Sequence, residues 1–424
     1  MIKFNQQTLE TVTAPEETGS DEQIALVPRI SVQAFCESVD AAGAVQGAAE
    51  DRRMAKAHVR IQMGGMPAAL EAYRASPTPN VILIESEKAG DNLLNALDEL
   101  ANVCDAETRV IVIGRLNDIV LYRELIRRGV SDYLMSPTGA VDVVRAVSSL
   151  FSAPDTKPVG RVVAVVGAKG GVGASTIAHN ISWAIARDIG LSSVVADLDL
   201  AFGTAGLDFN QDPPQGIADA VYSPDRIDTA FIDRLLSKCT EHLSLLASPA
   251  TLDRVYDFEA EAFDPVFDIL RATVPCIILD VPHIWTAWSR RILVGADDIL
   301  VVAAPDLANL RNAKNLLDLL RAARPNDRHP VYCLNQVGIP KRPEIKPADF
   351  ARALGSEPIA TVPFEPGIFG TAANNGQMIA EVSSRHKSAD LFRQMAQHLS
   401  GKSEVRRGRT ALSPLLRKLL KRKG

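Results

Sequence analysis

Apolar residues along this chain gather into short β-branched runs, and helical spacings separate the runs. Near the amino end, runs at 29–35, 81–84, 109–114 and 132–135 read as strands. Between them Leu93, Leu94, Ala96, Leu97 and Leu100, then Leu121, Leu125 and Ile126, fall at helical spacing. A second series opens at 161–166, where an unbroken apolar stretch suits a parallel strand buried on both faces. Ile177, Ile181, Ala184, Ile185 and Ile189 then form a helical stripe, and strand-like runs at 194–199, 276–282 and 331–335 follow. Strands alternating with helices predict an α/β protein of two doubly wound, mainly parallel sheets. The expected division is a lead at 1–27, a first unit at 28–153, a linker at 154–159, a second unit at 160–400 and a tail at 401–424.

Composition narrows this picture modestly. The 424 residues, 46% of them hydrophobic, suffice for two or three cores. Five scattered cysteines form no C-x-x-C pair, which suits a reducing cytoplasm and argues against an iron–sulfur site. The lead is polar and acidic, unlike a secretory signal, and reads as disordered.

The candidate chemistry sits between the 161–166 strand and the helix after it. Ala168, Lys169, Gly170, Gly171, Val172, Gly173, Ala174, Ser175 and Thr176 form a glycine-rich loop. In a phosphate loop, glycine amides cradle phosphate, a lysine reaches the β/γ-phosphates and a hydroxyl holds Mg²⁺. Here alanine stands at 174, where that lysine is expected, and Lys169 precedes the glycine pair. A helix amino terminus behind the loop favours an anion. Ser175 is the expected Mg²⁺ ligand and Thr176 a further phosphate contact. Asp197 and Asp199 close one strand and Asp280 another, which puts carboxylates at the sheet edge where α/β folds bind ligands. Ser175, Asp197 and Asp280 make the expected metal set, and Asp199 would orient an attacking water. Losing the usual lysine removes a charge-assisted contact of about 1.5–3 kcal/mol. That is worth roughly two orders of magnitude in turnover. ATP binding with weak or absent hydrolysis is the expectation.

With these residues in view, positions 160–400 resemble the ParA/MinD family of deviant P-loop ATPases, and more closely its CpaE/TadZ branch. The stretches that carry the closer likeness are 197–203, 280–288, 305–312 and 364–376. The resemblance implies a homodimer closed across ATP, with Lys169 reaching the partner's nucleotide. It also implies adenine binding by Asn335, with Pro363 and Glu365 flanking the base, and a switch over 283–290. In that stretch His283, Trp285 and Trp288 are either a partner-facing surface or helix packing. His179 reads as structural. The family's role implies assembly of Flp/Tad-type pili, beside a secretion ATPase and inner-membrane platform proteins. The chain would then lie in the cytoplasm at the inner membrane, with a polar position left open. A ParA/MinD-type ATPase cycling on membrane or DNA is the alternative.

The first unit resembles a response-regulator receiver, but its phosphotransfer residues are replaced. Glu85 stands for the aspartate, Phe35-Cys36-Glu37 for the acidic pair, Gly114 for the hydroxyl and Ser136 for the lysine. A pseudo-receiver serving protein contacts or localisation is expected. Glu85 is either a phosphoaspartate mimic or a plain strand-end carboxylate.

The charge is polarised. Residues 402–424 carry nine Lys/Arg and one acid, a net +8, which leaves −13 for the rest of a chain at −5. Leu412, Leu415, Leu416, Leu419 and Leu420 lie on one helical stripe with cations beside it. Such a tail suits an anionic membrane surface. Docking on protein and binding of nucleic acid stay open, the latter less favoured beside an acidic body.

Overall fold

A computed structural model describes residues 24–74, 76–88, 90–105, 107–151, 160–249, 251–252 and 254–401. The basic tail and most of the acidic lead lie outside the described residues, as does the linker.

Two sheets organise the chain. The first holds β1 (Ser31–Cys36), β2 (His58–Met63), β3 (Val81–Glu85), β4 (Arg109–Gly114) and β5 (Asp132–Met135), in the order β2-β1-β3-β4-β5. All its neighbours are parallel. The second comprises β6 (Arg161–Gly167), β7 (Ser193–Asp197), β8 (Leu236–Lys238), β9 (Leu243–Leu246), β10 (Cys276–Val281), β11 (Asp298–Ala303), β12 (Val331–Val337) and β13 (Ala360–Pro363). Its order is β13-β12-β11-β6-β10-β7-β9-β8, and only the β8–β9 pair is antiparallel. Helices cover both faces of each sheet, and a separate apolar cluster lies on each face. The expected α/β architecture of two doubly wound sheets is what the chain adopts.

Strand β6 sits centrally because it is apolar from Val162 to Val166. Val162, Ala164 and Val166 enter one core, while Val163 and Val165 enter the other. Strand β2 lies at the sheet edge, with its residues exposed or half-exposed, so no apolar run announces it. Residues 24–27, assigned to the lead from sequence, pack on the first sheet instead. Val27 is buried, and its N–H donates to the Arg53 carbonyl at 2.8 Å.

Glu85 ends β3, buried, with its carboxylate committed to the turn after β1. One oxygen accepts from the N–H groups of Glu37 and Ser38, both at 2.7 Å, and the other from the Ser38 hydroxyl at 2.6 Å. Ser38 in turn caps the helix Val39–Ala49 by accepting from Ala41 N–H. Of the two sequence readings, this geometry is that of a strand-end carboxylate holding a helix start.

An ionic seam joins the sheets. The Arg52 guanidinium reaches Asp327 at 2.5 Å, Asp297 at 3.0 Å and the Gly295 carbonyl at 3.1 Å. Asn326 donates to Asp51 at 3.2 Å, and Lys56 pairs with Asp268. The second-sheet partners of Arg52 cluster around the start of β11, at the edge of the sheet opposite the glycine-rich loop.

Candidate nucleotide site

The loop at 167–173 leaves the carboxyl end of β6 and runs into the helix Ala174–Ala184. Four side chains brace it by gripping its carbonyls. His283 donates to Gly167 at 2.8 Å, Asn312 to Ala168 at 2.9 Å, Asn335 to Val172 at 2.8 Å and Gln336 to Gly171 at 3.0 Å. With its carbonyls held outward by protein, the loop can turn N–H groups toward a ligand. Gly173 has φ 82°, and a Cβ there would meet the Asn335 amide nitrogen at 2.6 Å. Glycine is therefore required at that position on both conformational and steric grounds.

In front of the loop lies a cavity of about 490 Å³, within the range of small-molecule sites. Lys169, Ser175, Asp199 and Asp280 all line it, as does the loop from Gly170 to Ala174. Lys169 is exposed. Four of the expected chemical groups, far apart in sequence, thus converge on one space. Thr176 is half-buried in the first helical turn and is not part of the lining. Asn335 lies behind the loop. Pro363 and Glu365 lie beyond the lining, and Glu365 accepts from the Ser388 hydroxyl at 2.9 Å.

Asp197, the third residue of the expected metal set, stands back from the cavity. It is wholly buried and does not line the cavity. One oxygen accepts from Asp199 N–H at 3.1 Å, and the other from Ala205 N–H at 3.1 Å and the Ser248 hydroxyl at 3.0 Å. Burial, with the Asp280 charge beside it, pushes its pKa up to about 6. It braces the 199–205 segment from beneath. A Cβ at Gly203 would strike its carboxylate, so the segment must pass as glycine there.

His179 was not expected in the site. It lies one helical turn beyond Ser175, and its ring is fully buried. Nδ1 is 2.7 Å from Asp208, and Nε2 faces Asp280 at 3.4 Å without the alignment of a hydrogen bond. Burial disfavours the charged ring, but the Asp208 and Asp280 carboxylates outweigh it and push its pKa up to about 10. The signal available in sequence was its i+4 spacing from Ser175, which sets both on one helical face.

The 283–290 stretch divides. Trp288 is buried against Phe263, with ring centroids 5.0 Å apart, whereas Ile284 and Trp285 are about half exposed. Exposed Trp285 and Ile284 also flank a second, mostly apolar cavity beside the loop.

A nucleotide with Mg²⁺ fits these residues. The cradle is open, since a Cβ at Gly170 or Gly171 would meet nothing. Among the described residues no cluster of three His, Cys, Asp or Glu is arranged to hold a metal alone. One carboxylate, a hydroxyl and substrate phosphates are the usual Mg²⁺ environment in nucleotide sites.

No protein-family model matches the chain. The septum site-determining protein MinD of Synechocystis is 31% identical over 165 residues, which is 38% of this chain and 60% of that protein. The chain thus matches about three-fifths of that relative's length. The ParA family ATPase of Chlorobium tepidum superposes with a TM-score of 0.51 over 57% of this chain and all of that one. At 24% identity this likeness gives the fold of the second unit and no more. The pilus assembly protein CpaE of Caulobacter crescentus is 44% identical across the whole of its solved chain, which covers 31% of this one, with a TM-score of 0.30. That identity, sustained over the entire relative, decides the matter where the superposition does not. The chain belongs to the CpaE/TadZ family, and its second unit has the ParA/MinD-like fold.

Proposed function

We propose that this protein binds ATP with Mg²⁺ in the 490 Å³ cavity and works as an ATP-dependent homodimeric scaffold with slow or absent hydrolysis. One observation carries the reading: a braced phosphate cradle has alanine at 174 and its lysine at 169, exposed at the cavity mouth. The loop N–H groups would hold the phosphates. Ser175 and Asp280 would hold the metal, which neutralises phosphate charge when bound. Asp199 would orient water for whatever turnover occurs, and Lys169 would serve the partner's nucleotide. Asn335, joined to the loop through Val172, would meet adenine, with Pro363 and Glu365 flanking it from the neighbouring strand.

Membership of the CpaE/TadZ family supports assembly of Flp/Tad-type pili as the setting. The partners would be the secretion ATPase and inner-membrane platform proteins. The tail at 401–424 would hold the complex on the cytoplasmic, anionic face of the inner membrane, with polar placement. The pseudo-receiver, committed to no phosphotransfer, would contribute contacts. A cycling ATPase is the second reading, favoured by one fact: Lys169 and Asp199 share the cavity.

Sedimentation velocity of the full chain with ATP·Mg²⁺, with ADP·Mg²⁺ and without nucleotide tests the scaffold. A dimer in ATP alone, lost in Lys169→Ala, is the expected result. The same mass in all three conditions would overturn the ATP-dependent dimer.

A further inference from the structure

Metal-binding carboxylates are rarely left to orient themselves, and a hydrogen-bonding group behind them usually fixes their direction. Behind Asp280 stands His179, at ion-pair distance. The two lie 101 residues apart in sequence, yet Nε2 of His179 is 3.4 Å from a carboxylate oxygen of Asp280. The imidazole has little freedom to be elsewhere. Its Nδ1 is tied to Asp208 at 2.7 Å, and its face lies against Phe209, with ring centroids 5.4 Å apart. The ring is 0% exposed, and Nε2 is one of three buried side-chain polar atoms among the described residues that have no hydrogen-bond partner. A packing residue would not need a nitrogen there. Polar atoms brought into a core cost free energy unless they meet a partner, and the carboxylate that Nε2 faces is Asp280. The ring is held from behind by two groups and turns Nε2 toward Asp280, a carboxylate that lines the cavity.

We propose that His179 is the positioning residue for Asp280, setting the carboxylate in the direction in which it meets a divalent cation. Asp208 and Phe209 hold the ring for that task. They close the segment that begins at Asp199, so the same contact ties this segment to the metal carboxylate. The inference rests on the reading of Asp280 as a metal residue. His179 touches neither nucleotide nor metal.

The test measures Mn²⁺ affinity by the electron paramagnetic resonance of free Mn²⁺, using the full chain saturated with a non-hydrolysable ATP analogue. Binding of the analogue in EDTA is measured in parallel. His179→Leu keeps the volume and removes both nitrogens. It should weaken Mn²⁺ binding about 10–100-fold, the usual loss for a group behind a ligand, and leave metal-free nucleotide binding unchanged. Asp280→Asn should also weaken Mn²⁺ binding, and the double variant should lose less than the two single losses combined. Asp208→Asn, at a side chain 21% exposed, loosens the ring from outside the core. It should give a smaller loss of the same kind if His179→Leu does not fold. His179→Gln returns a donor amide and should recover part of the loss. Wild-type Mn²⁺ affinity in folded His179→Leu, with Asp280→Asn impaired, overturns the positioning role and leaves a core histidine. Wild-type affinity in Asp280→Asn overturns the metal reading of Asp280, and the inference falls with it.

Discussion

Gly173 joins backbone geometry and ligand chemistry at one atom. Its φ of 82° lies where L side chains are strained, and the space a Cβ would take belongs to the Asn335 amide that holds Val172. Gly173→Ala should cost about 1–3 kcal/mol of local strain and push Asn335 off the loop. ATP affinity, followed with a fluorescent analogue, should fall about tenfold or more, since each 1.4 kcal/mol is tenfold. Unchanged affinity would mean that the loop takes another shape when loaded. The loop was legible in sequence because its chemistry is local: glycines, a lysine and a hydroxyl must follow one another to surround a phosphate. Asp197 and His179 were not legible in the same way. Both are polar residues on buried elements, and what they do depends on partners such as Ser248, Asp208 and Asp280, which sequence spacing cannot bring together.

Among the elements, buried strands declared themselves and edge strands did not. Strands β3, β4, β6, β10 and β11 are apolar because helices cover both their faces, and an apolar run is what such burial requires. Strand β2 faces solvent along one edge, and β8 and β9 are only three and four residues long, too short for a periodic signal. The helix Ala287–Gly295 links two parts of the molecule. Before its start, His283 grips the loop carbonyl of Gly167, and at its end the Gly295 carbonyl accepts from Arg52 of the first unit. Its capping at Thr286, which accepts from Ser289 N–H at 3.2 Å, gives it a firm beginning next to the cavity. In the first unit Glu85 ends β3, and its carboxylate holds the turn after β1. That Glu85 closes a strand was readable from the apolar run before it, whereas its bonds to Glu37 and Ser38 were not.

At the scale of the whole molecule, the ionic seam was hidden from sequence because Arg52 and Asp327 lie 275 residues apart. The Arg52 side chain is only 12% exposed, and it pairs with two carboxylates. Burial works against its charge, yet Asp297 and Asp327 raise its pKa above the ordinary arginine value. Removing one partner of a buried ionic network strands the others and costs roughly 3–5 kcal/mol. Arg52→Ala should therefore loosen the two units from each other. All three tryptophans, Trp183, Trp285 and Trp288, belong to the second unit, whereas circular dichroism reports both. In denaturant the two signals should coincide for the wild type and separate for Arg52→Ala. Coincident, unshifted transitions in the variant would show that the seam contributes nothing to coupling.

A protein that holds its nucleotide without hydrolysing it can be recognised with radiolabelled ATP. Purified full-length protein is incubated with the nucleotide and Mg²⁺, and bound ATP and released phosphate are measured in the same samples. Near-stoichiometric bound ATP with negligible phosphate release is the predicted result, following from the braced loop and from alanine at 174. Steady release of phosphate over many turnovers would contradict it, and would mean that Lys169 and Asp199 suffice for a working ATPase.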